Sequence, residues 1–334
     1  MSYQNYKRRI DWGLTYYRNV QELVYETNLG GYIGRLYTNL YQFNIAYPFD
    51  VNRSIRLTTG IRSDKDVLGA VDLPSLEVGD NKTMYSVTHL EYVYDNSQNP
   101  AINIWHGLRY KAYVDWNMQV NKVLYADGPQ TFNVGFDTRY YYPIFRNFIW
   151  AGRAAGDFSF GNQKLIYYLG GMDGWLMFNP TNTKADGSDR YFNTNNPPAN
   201  DQNYAFESLA VNLRGFKQNI ANGNNALVLN SEFRLPVFST LFNRPINNKF
   251  LRDFQLTQFI DLGTAWNGAY NKLQRPTIRI NDGSPVSVIS KAGGIGPFAG
   301  GYGFGARSTL LGYFVKFDAA WTMKGFLEAN HNCT

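Results

Sequence analysis

Two carboxylates lie on the polar faces of two alternating segments in the C-terminal half of the sequence. Glu232 shares a face with Arg234 in NNALVLNSEFRLP (224–236), and Asp261 lies on the polar face of LTQFIDLGTAW (256–266). Side chains that alternate with a period of two indicate a β-strand with one polar and one apolar face. The pattern therefore predicts two carboxylates that point the same way from neighbouring strands.

Such a pair requires a cation between the two carboxylates. Adjacent carboxylates repel each other unless a positive group neutralises them, and a planar guanidinium fits this position best. Arg214 lies just upstream, in the tetrad Leu213-Arg214-Gly215-Phe216. Gly215 would allow a tight backbone turn, and Phe216 could pack among aromatic side chains. The alternative is that Arg214 is a solvated loop residue.

Arrangements typical of catalysis are weak in this sequence. The three histidines, His89, His106 and His331, do not accompany a serine or cysteine nucleophile motif. The segment KADGSDR (184–190) lacks the spacing and the terminal glutamate of a calcium-binding loop. We therefore expect no enzyme activity, no cofactor and no metal site.

The glycine-rich segment GGIGPFAGGYGFGAR (293–307) contains G-x-G patterns that could suggest a phosphate loop. A phosphate loop opens a helix, however, whereas these glycines run into a strand. We predict instead that Gly301, Gly303 and Gly305 leave room for a bend or for another segment to approach closely. Gly263, on the face of Asp261, is a further predicted strand glycine.

Alternation with a period of two extends through almost the whole chain. Many segments have ten or more residues, whereas strands average about 5–6 residues in soluble proteins and need about 9–11 to cross a bilayer. Tryptophan and tyrosine are frequent near the segment ends, as in the interfacial girdles of membrane barrels. The predicted strands, about 13 in all, lie near 7–17, 20–28, 32–48, 51–62, 83–97, 102–117, 130–143, 147–159, 164–170, 224–237, 253–266, 299–309 and 312–323.

Composition excludes several classes of protein. Charged residues make up 17% and aromatic residues 16%, which excludes a disordered chain. The net charge of +6 comes without a compact basic stripe, so we expect no nucleic-acid partner. The mean hydropathy of −0.38 is compatible with a transmembrane barrel, because barrel strands alternate lipid-facing and lumen-facing residues. The single Cys333 excludes an internal disulfide.

The connections divide into short turns and long polar loops at 63–82, 171–222 and 267–297. This division is typical of outer-membrane barrels, which have tight periplasmic turns and larger extracellular loops. The longest loop, 171–222, carries the arginine tetrad. A loop longer than about 15 residues is usually either functional or disordered.

The tetrad resembles the (V/L)RG(F/Y) signature in the sixth extracellular loop of the Omp85 superfamily, the bacterial surface antigen barrels of BamA and TamA type. Other segments resemble the family in the same order along the chain. They are YYLGG (167–171), GNNALVLNSEFRLPVF (223–238), FIDLGTAW (259–266) and GYGFGARSTLLGYFVKFDAAW (301–321).

This resemblance implies an all-β fold, a transmembrane antiparallel β-barrel in the outer membrane of a Gram-negative bacterium. It also implies that the long loop folds into the lumen and that Arg214 pairs there with Asp261 and Glu232. The implied function is to assist insertion and assembly, or translocation, of proteins. The implied partners are outer-membrane lipids, unfolded or translocating polypeptides, and periplasmic or lipoprotein accessory subunits.

We expect residues 1–334 to form one barrel domain, the C-terminal part of a longer protein, with the last strand absent. A complete barrel of this kind would have 14–16 strands. Two alternatives remain open at this point. One is a passive pore or structural barrel. The other is the membrane anchor of a larger protein with an upstream domain, such as a patatin-like or periplasmic β-propeller domain.

Overall fold

A computed structural model describes the chain except for residues 28–29, 70–75, 78, 98–105, 122–127, 173–180, 186, 201–203, 243, 281–287 and 324–334. The start of the predicted strand 102–117 therefore lies outside the described residues, and so do His331 and Cys333. The described residues form two compact units. One comprises Met1–Tyr94, Ala112–Val134 and Phe160–Gln163, and the other Asp95–Lys111, Gly135–Ser159 and Lys164–Thr334.

Thirteen strands belong to one large antiparallel sheet, which confirms the predicted all-β class. In chain order these are β1 (Ser2–Asn5), β2 (Asp11–Thr27), β3 (Gly30–Pro48), β4 (Arg53–Leu68), β5 (Asn81–Asp95), β6 (Gly107–Gln119), β7 (Gln130–Phe145), β8 (Phe148–Phe160), β12 (Asn225–Pro236), β13 (Gln255–Trp266), β16 (Gly294–Ile295), β17 (Phe298–Leu310) and β18 (Tyr313–Thr322). The remaining strands are β9 (Lys164–Leu169), β10 (Tyr204–Val211), β11 (Ala221–Gly223), β14 (Thr277–Ile280) and β15 (Val288–Lys291).

In the first unit, β1 to β5 pair in sequence order, each antiparallel to the next. The segments predicted at 7–17 and 20–28 are one continuous strand, β2, so the predicted break between them is wrong. Arg18 and Asn19, the polar residues at the expected break, pair with Asn39 and Thr38 of β3. Polar side chains do not interrupt a backbone ladder, because the ladder uses only N–H and C=O groups.

In the second unit, β12 lies between β8 and β13, and β17 lies between β13 and β18. Directly opposite residues in an antiparallel pair point to the same face. The register therefore gives this part of the sheet a polar face, which includes Glu232 and Asp261. The opposite, apolar face carries exposed large hydrophobic side chains: Phe233, Leu256, Ile260, Tyr302, Phe304, Tyr313, Val315, Phe317 and Trp321.

The segment predicted as a membrane strand at 164–170 lies outside the large sheet. It forms β9 of a separate three-stranded sheet, parallel to β10 and antiparallel to β11. Leu165, Ile166 and Tyr167 are all buried, although they point alternately to opposite faces. Burial on both faces explains the error, because this strand has no lipid-facing side.

A buried apolar cluster joins this small sheet to the large one. Its members come from β9, the tetrad, β11, β12, β13, the start of β17 and the segment before it: Leu165, Tyr167, Leu169, Leu213, Phe216, Ile220, Ala221, Ala226, Val228, Ala265, Ala292 and Ala299. The long loop is therefore packed against the sheet by apolar contacts as well as by the charges described below.

The helices are short. α1 (Val237–Leu241) and α2 (Lys249–Asp253) lie in the connection between β12 and β13, and a 3-10 turn covers Tyr270–Lys272. Asn248 caps α2, its side chain accepting from the N–H of Leu251. No described helix is both long and apolar enough to cross a membrane.

The register of β12 and β13 can be tested by cross-linking in a Cys333→Ser background. Ser231 and Ile260 are directly opposite each other, so the pair Ser231→Cys and Ile260→Cys should form a disulfide on mild oxidation. Ser231→Cys with Leu262→Cys is the matched control, because diagonal residues two positions away lie about 7–8 Å apart. Efficient cross-linking of the control pair, but not of the first pair, would contradict this register.

Candidate functional site

Arg214 is the centre of a buried ion cluster on the polar face. Its Nε and Nη2 donate to the two carboxylate oxygens of Asp261 at 2.5 and 2.8 Å, a two-pronged contact. Its Nη1 donates to Glu232 at 3.1 Å and to Asp318 at 3.2 Å. Only 11% of the Arg214 side chain is exposed, so the solvated-loop alternative does not describe this residue.

The three carboxylates come from three different strands. Glu232 lies on β12, Asp261 on β13 and Asp318 on β18, and their side chains are 8%, 1% and 4% exposed. Three buried negative charges at one place would be strongly unfavourable without a cation. The guanidinium of Arg214 contacts all three, so the structure brings the predicted residues together and adds Asp318.

Three further cations surround the same carboxylates. Arg234 Nε and Arg307 Nη2 each lie within hydrogen-bond distance of Glu232, at 2.7 and 2.9 Å. Lys316 Nζ lies 2.9 Å from Asp318. The cluster thus contains four cations and three carboxylates, and it carries a net positive charge.

The ring of Phe259 completes the surroundings of Arg214. The guanidinium carbon lies 3.4 Å from the ring centroid, and the ring is 1% exposed. A cation over an aromatic face is stabilised by the ring quadrupole, most strongly where water is excluded. Arg214 is therefore held in position by carboxylates at its edges and by a ring against its plane.

The backbone of the tetrad is fitted closely to the sheet. Gly215 has φ of 95°, and a Cβ there would lie 2.8 Å from the carbonyl oxygen of Trp321. The carbonyl oxygen of Arg214 lies against Gly301 with no room for a side chain. Leu213 donates its N–H to Gly171 at 3.1 Å. Phe216 packs in the apolar cluster described above rather than among aromatic side chains alone.

The other predicted strand glycines, Gly263, Gly303 and Gly305, also lie where a side chain would meet a neighbour. A Cβ at Gly263 would lie 3.0 Å from a methyl carbon of Leu169, and one at Gly303 would lie 2.6 Å from the ring of Phe259. A Cβ at Gly305 would meet the Asp318 carboxylate. These positions therefore leave room for the loop and for the ion cluster.

The ion cluster borders a cavity of about 360 Å³. Besides cluster members, the wall contains Arg109, Arg139 and Arg153, and the last two contact Asp137 at 2.9 and 3.0 Å. Sequence reasoning missed Asp318, Arg234, Arg307 and Lys316 as members of the site. The available signal was their alternation: Asp318 shares a strand face with Lys316, and Arg307 shares one with Gly305.

The histidines lie elsewhere. In the first unit, Nδ1 of His89 lies 2.5 Å from Asp115 and Nε2 lies 3.5 Å from Glu91. His106 is a β-bridge residue that directly precedes β6. Among the described residues, no group of three or more His, Cys, Asp or Glu side chains could hold a metal ion.

Solved structures with the same arrangement of strands include BamA from Haemophilus ducreyi lacking POTRA domains 1–3. That match has a TM-score of 0.55 and 14% sequence identity, and it covers 98% of this chain but 58% of the BamA chain. CdiB from Acinetobacter baumannii matches with a TM-score of 0.48 and 12% identity over 97% of this chain and 46% of that one. CdiB from Escherichia coli matches with a TM-score of 0.43 and 12% identity over 94% and 47%. No family model and no curated protein matches the sequence.

Replacing the central guanidinium should destabilise the fold. Arg214→Ala leaves three buried carboxylates without their shared cation, a loss of roughly 3–5 kcal/mol if the cluster is dry. The measurement is the temperature at which the compact band of the unheated protein disappears on a gel. Arg214→Lys should give an intermediate temperature, because it keeps the charge but loses the two-pronged contact with Asp261.

The control for this change is Arg35→Ala. Arg35 pairs with Glu22 at 3.5 Å, and both side chains are more than half exposed; exposed pairs contribute about 0–1 kcal/mol. If Arg214→Ala and Arg35→Ala lowered the transition temperature equally, the buried cluster would not stabilise the fold as described.

A side chain at position 301 should displace the tetrad from the sheet. Gly301→Val places a Cβ against the carbonyl oxygen of Arg214, so the loop must move away. We expect limited trypsin digestion to cleave after Arg214 and Lys217 in the variant and to spare them in the parent. Gly79→Val is the control, since nothing lies within 4 Å of a Cβ at that position. Equal protection in both variants would contradict the close fit.

Proposed function

We propose, from the fold this chain shares with BamA, that it is an outer-membrane β-barrel of Omp85 type that assists insertion and assembly, or translocation, of proteins. The observation that carries the proposal is the Arg214 cluster. The sequence resemblance implied that Arg214 in a lumen loop pairs with Asp261 and Glu232, and Arg214 contacts both of them together with Asp318.

The two faces of the sheet support a membrane location. Large exposed hydrophobic residues such as Ile260, Phe304 and Trp321 follow one face, and contiguous exposed apolar surface of this extent marks contact with lipid or with another apolar surface. Charged residues lie on the other face. Alternation of lipid-facing apolar and lumen-facing polar residues is the pattern of transmembrane barrel strands.

In this proposal residues 1–334 form one barrel domain, and loop 171–222 fills part of the lumen. The loop would obstruct free passage of solutes, because the Arg214 cluster and the apolar cluster both fix it to the sheet. Client polypeptides would engage a strand edge, where unpaired N–H and C=O groups can bind an incoming strand. We expect no enzymatic step in this activity. Outer-membrane lipids and periplasmic or lipoprotein accessory subunits are the other proposed partners.

Reconstitution into lipid vesicles tests this function. We expect vesicles that contain the protein to fold a urea-denatured outer-membrane barrel protein faster than empty vesicles, with the gel mobility of the client as the readout. Arg214→Ala should lower this rate, because a loosened loop alters the lumen. Vesicles with an unrelated porin are the control for nonspecific bilayer defects.

Electrical recording discriminates the proposed function from a passive pore. A lumen filled by a fixed loop should give small, fluctuating currents in a planar bilayer. A large, steady conductance combined with no acceleration of client folding would overturn the proposal and favour the pore.

A further inference from the structure

The connection between β12 and β13 presents an apolar and basic surface, which we call the 237–254 knob. It contains α1 and α2 and follows the Pro236 end of β12, whereas the long loop precedes the Asn225 end of that strand. Four of its hydrophobic side chains are exposed: Leu241 at 69%, Phe242 at 57%, Phe250 at 40% and Leu251 at 36%. Exposure of this many large hydrophobic groups in an 18-residue segment marks a contact surface.

The knob is held in place from both sides. Arg146 Nη1 donates to the carbonyl of Thr240 at 3.1 Å, and Asn147 Nδ2 donates to the carbonyl of Ser239 at 3.1 Å. These contacts tie α1 to the turn between β7 and β8. On the other side, Ser308 Oγ donates to the carbonyl of Phe250 at 2.7 Å. The exposed side chains are therefore displayed by a fixed element.

The contact with Ser308 shows on which face of the sheet the knob lies. Ser308 follows Phe304 and Ala306 at intervals of two along β17, so its side chain points to the apolar face. Ser308 is buried although the residues before it on this face are not, because α2 lies beside it. The knob therefore borders the apolar face, at the point where that face ends.

The net charge of the knob is positive. Arg244, Lys249 and Arg252 are exposed cations, and Asp253, which contacts Arg252 at 3.2 Å, is the single acidic residue of the segment. The same segment contains an aromatic group, in which Phe238 stacks on Phe242 and contacts Phe254 with its ring tilted. Basic residues combined with Phe and Leu on a short amphipathic element are the features that bind the interface of an anionic bilayer.

We infer that the 237–254 knob docks onto the bilayer interface by binding anionic phospholipid headgroups through Arg244, Lys249 and Arg252. Leu241, Phe242, Phe250 and Leu251 enter the boundary between headgroups and acyl chains. This rests on the proposed membrane location. Two observations favour a lipid over a soluble partner. The knob is continuous with the apolar face of the sheet, and its positive charge is complementary to an anionic headgroup.

Spin labelling of the full chain in vesicles tests the inference. In a Cys333→Ser background, a nitroxide is placed at Leu251→Cys in the knob, Ile260→Cys on the apolar face or Tyr270→Cys, which is 85% exposed at the other end of β13. Accessibility to oxygen and to a water-soluble nickel chelate is compared in phosphatidylcholine vesicles with and without phosphatidylglycerol. We expect label 251 to be more accessible to oxygen than to the nickel chelate in vesicles with phosphatidylglycerol. Label 270 should be more accessible to the nickel chelate in both kinds of vesicle.

Charge variants identify the headgroup contact. Label 251 reports the ratio of docked to free knob in phosphatidylglycerol vesicles. This ratio should fall by about fivefold in each of three variants, Arg244→Gln, Lys249→Gln and Arg252→Gln. Lys272→Gln, an exposed cation near Tyr270, is the control and should leave label 251 unchanged. Docking that is equal in all variants would overturn the role of the three cations.

Label 260 separates this inference from the proposed function. If label 260 is in the bilayer and label 251 remains nickel-accessible in phosphatidylglycerol vesicles, the docking inference is wrong and the knob is free for a soluble partner. If label 260 itself is nickel-accessible, the membrane location fails, and the docking inference fails with it.

Discussion

The contact of one arginine with three buried carboxylates is the constraint on which the rest of the structure depends. Glu232, Asp261 and Asp318 are each almost wholly buried, and three such charges cannot share a site unless a cation lies between them. Arg214 supplies it from the long loop. The loop must therefore reach the sheet at one point, and β12, β13 and β18 must all present their carboxylates there.

Strand register follows from the same constraint. A slip of one residue in β12 or β13 would turn Glu232 or Asp261 to the apolar face, away from Arg214 and the other cations of the cluster. The register in turn places Gly305 opposite Asp318 and Gly303 opposite Phe259. Because glycine has no side chain, the loop and the carboxylates fit against the sheet. The position of the carboxylates, the register of the strands and the position of the glycines therefore depend on one another. The same register places the large apolar side chains on the opposite face.

Much of this site could be predicted from local pattern. Alternation along β12 and β13 assigns Glu232 and Asp261 to one face, because side chains of a strand change face at every residue. The repulsion between two carboxylates then calls for a cation, and Arg214 is the nearest arginine upstream of Glu232. The predicted total of about 13 strands equals the number of described strands in the large sheet. The strands that make up this sheet differ from the predicted ones, since β2 replaces two predicted segments, 164–170 lies in another sheet, and β1 and β16 were not predicted.

Local alternation in the sequence is enough to assign the polar and apolar residues of each strand, and from them the all-β class. It also indicates Arg214 as a candidate cation for Glu232 and Asp261, beside the alternative of a solvated loop residue. The three-dimensional arrangement adds that Arg214 contacts both carboxylates, that Asp318 joins them and that β9 pairs with β10 and β11 outside the large sheet. The physical reason is that alternation is a local property of the chain. It fixes the face to which a side chain points, whereas the neighbouring strand is chosen by hydrogen bonds and packing between segments far apart in sequence.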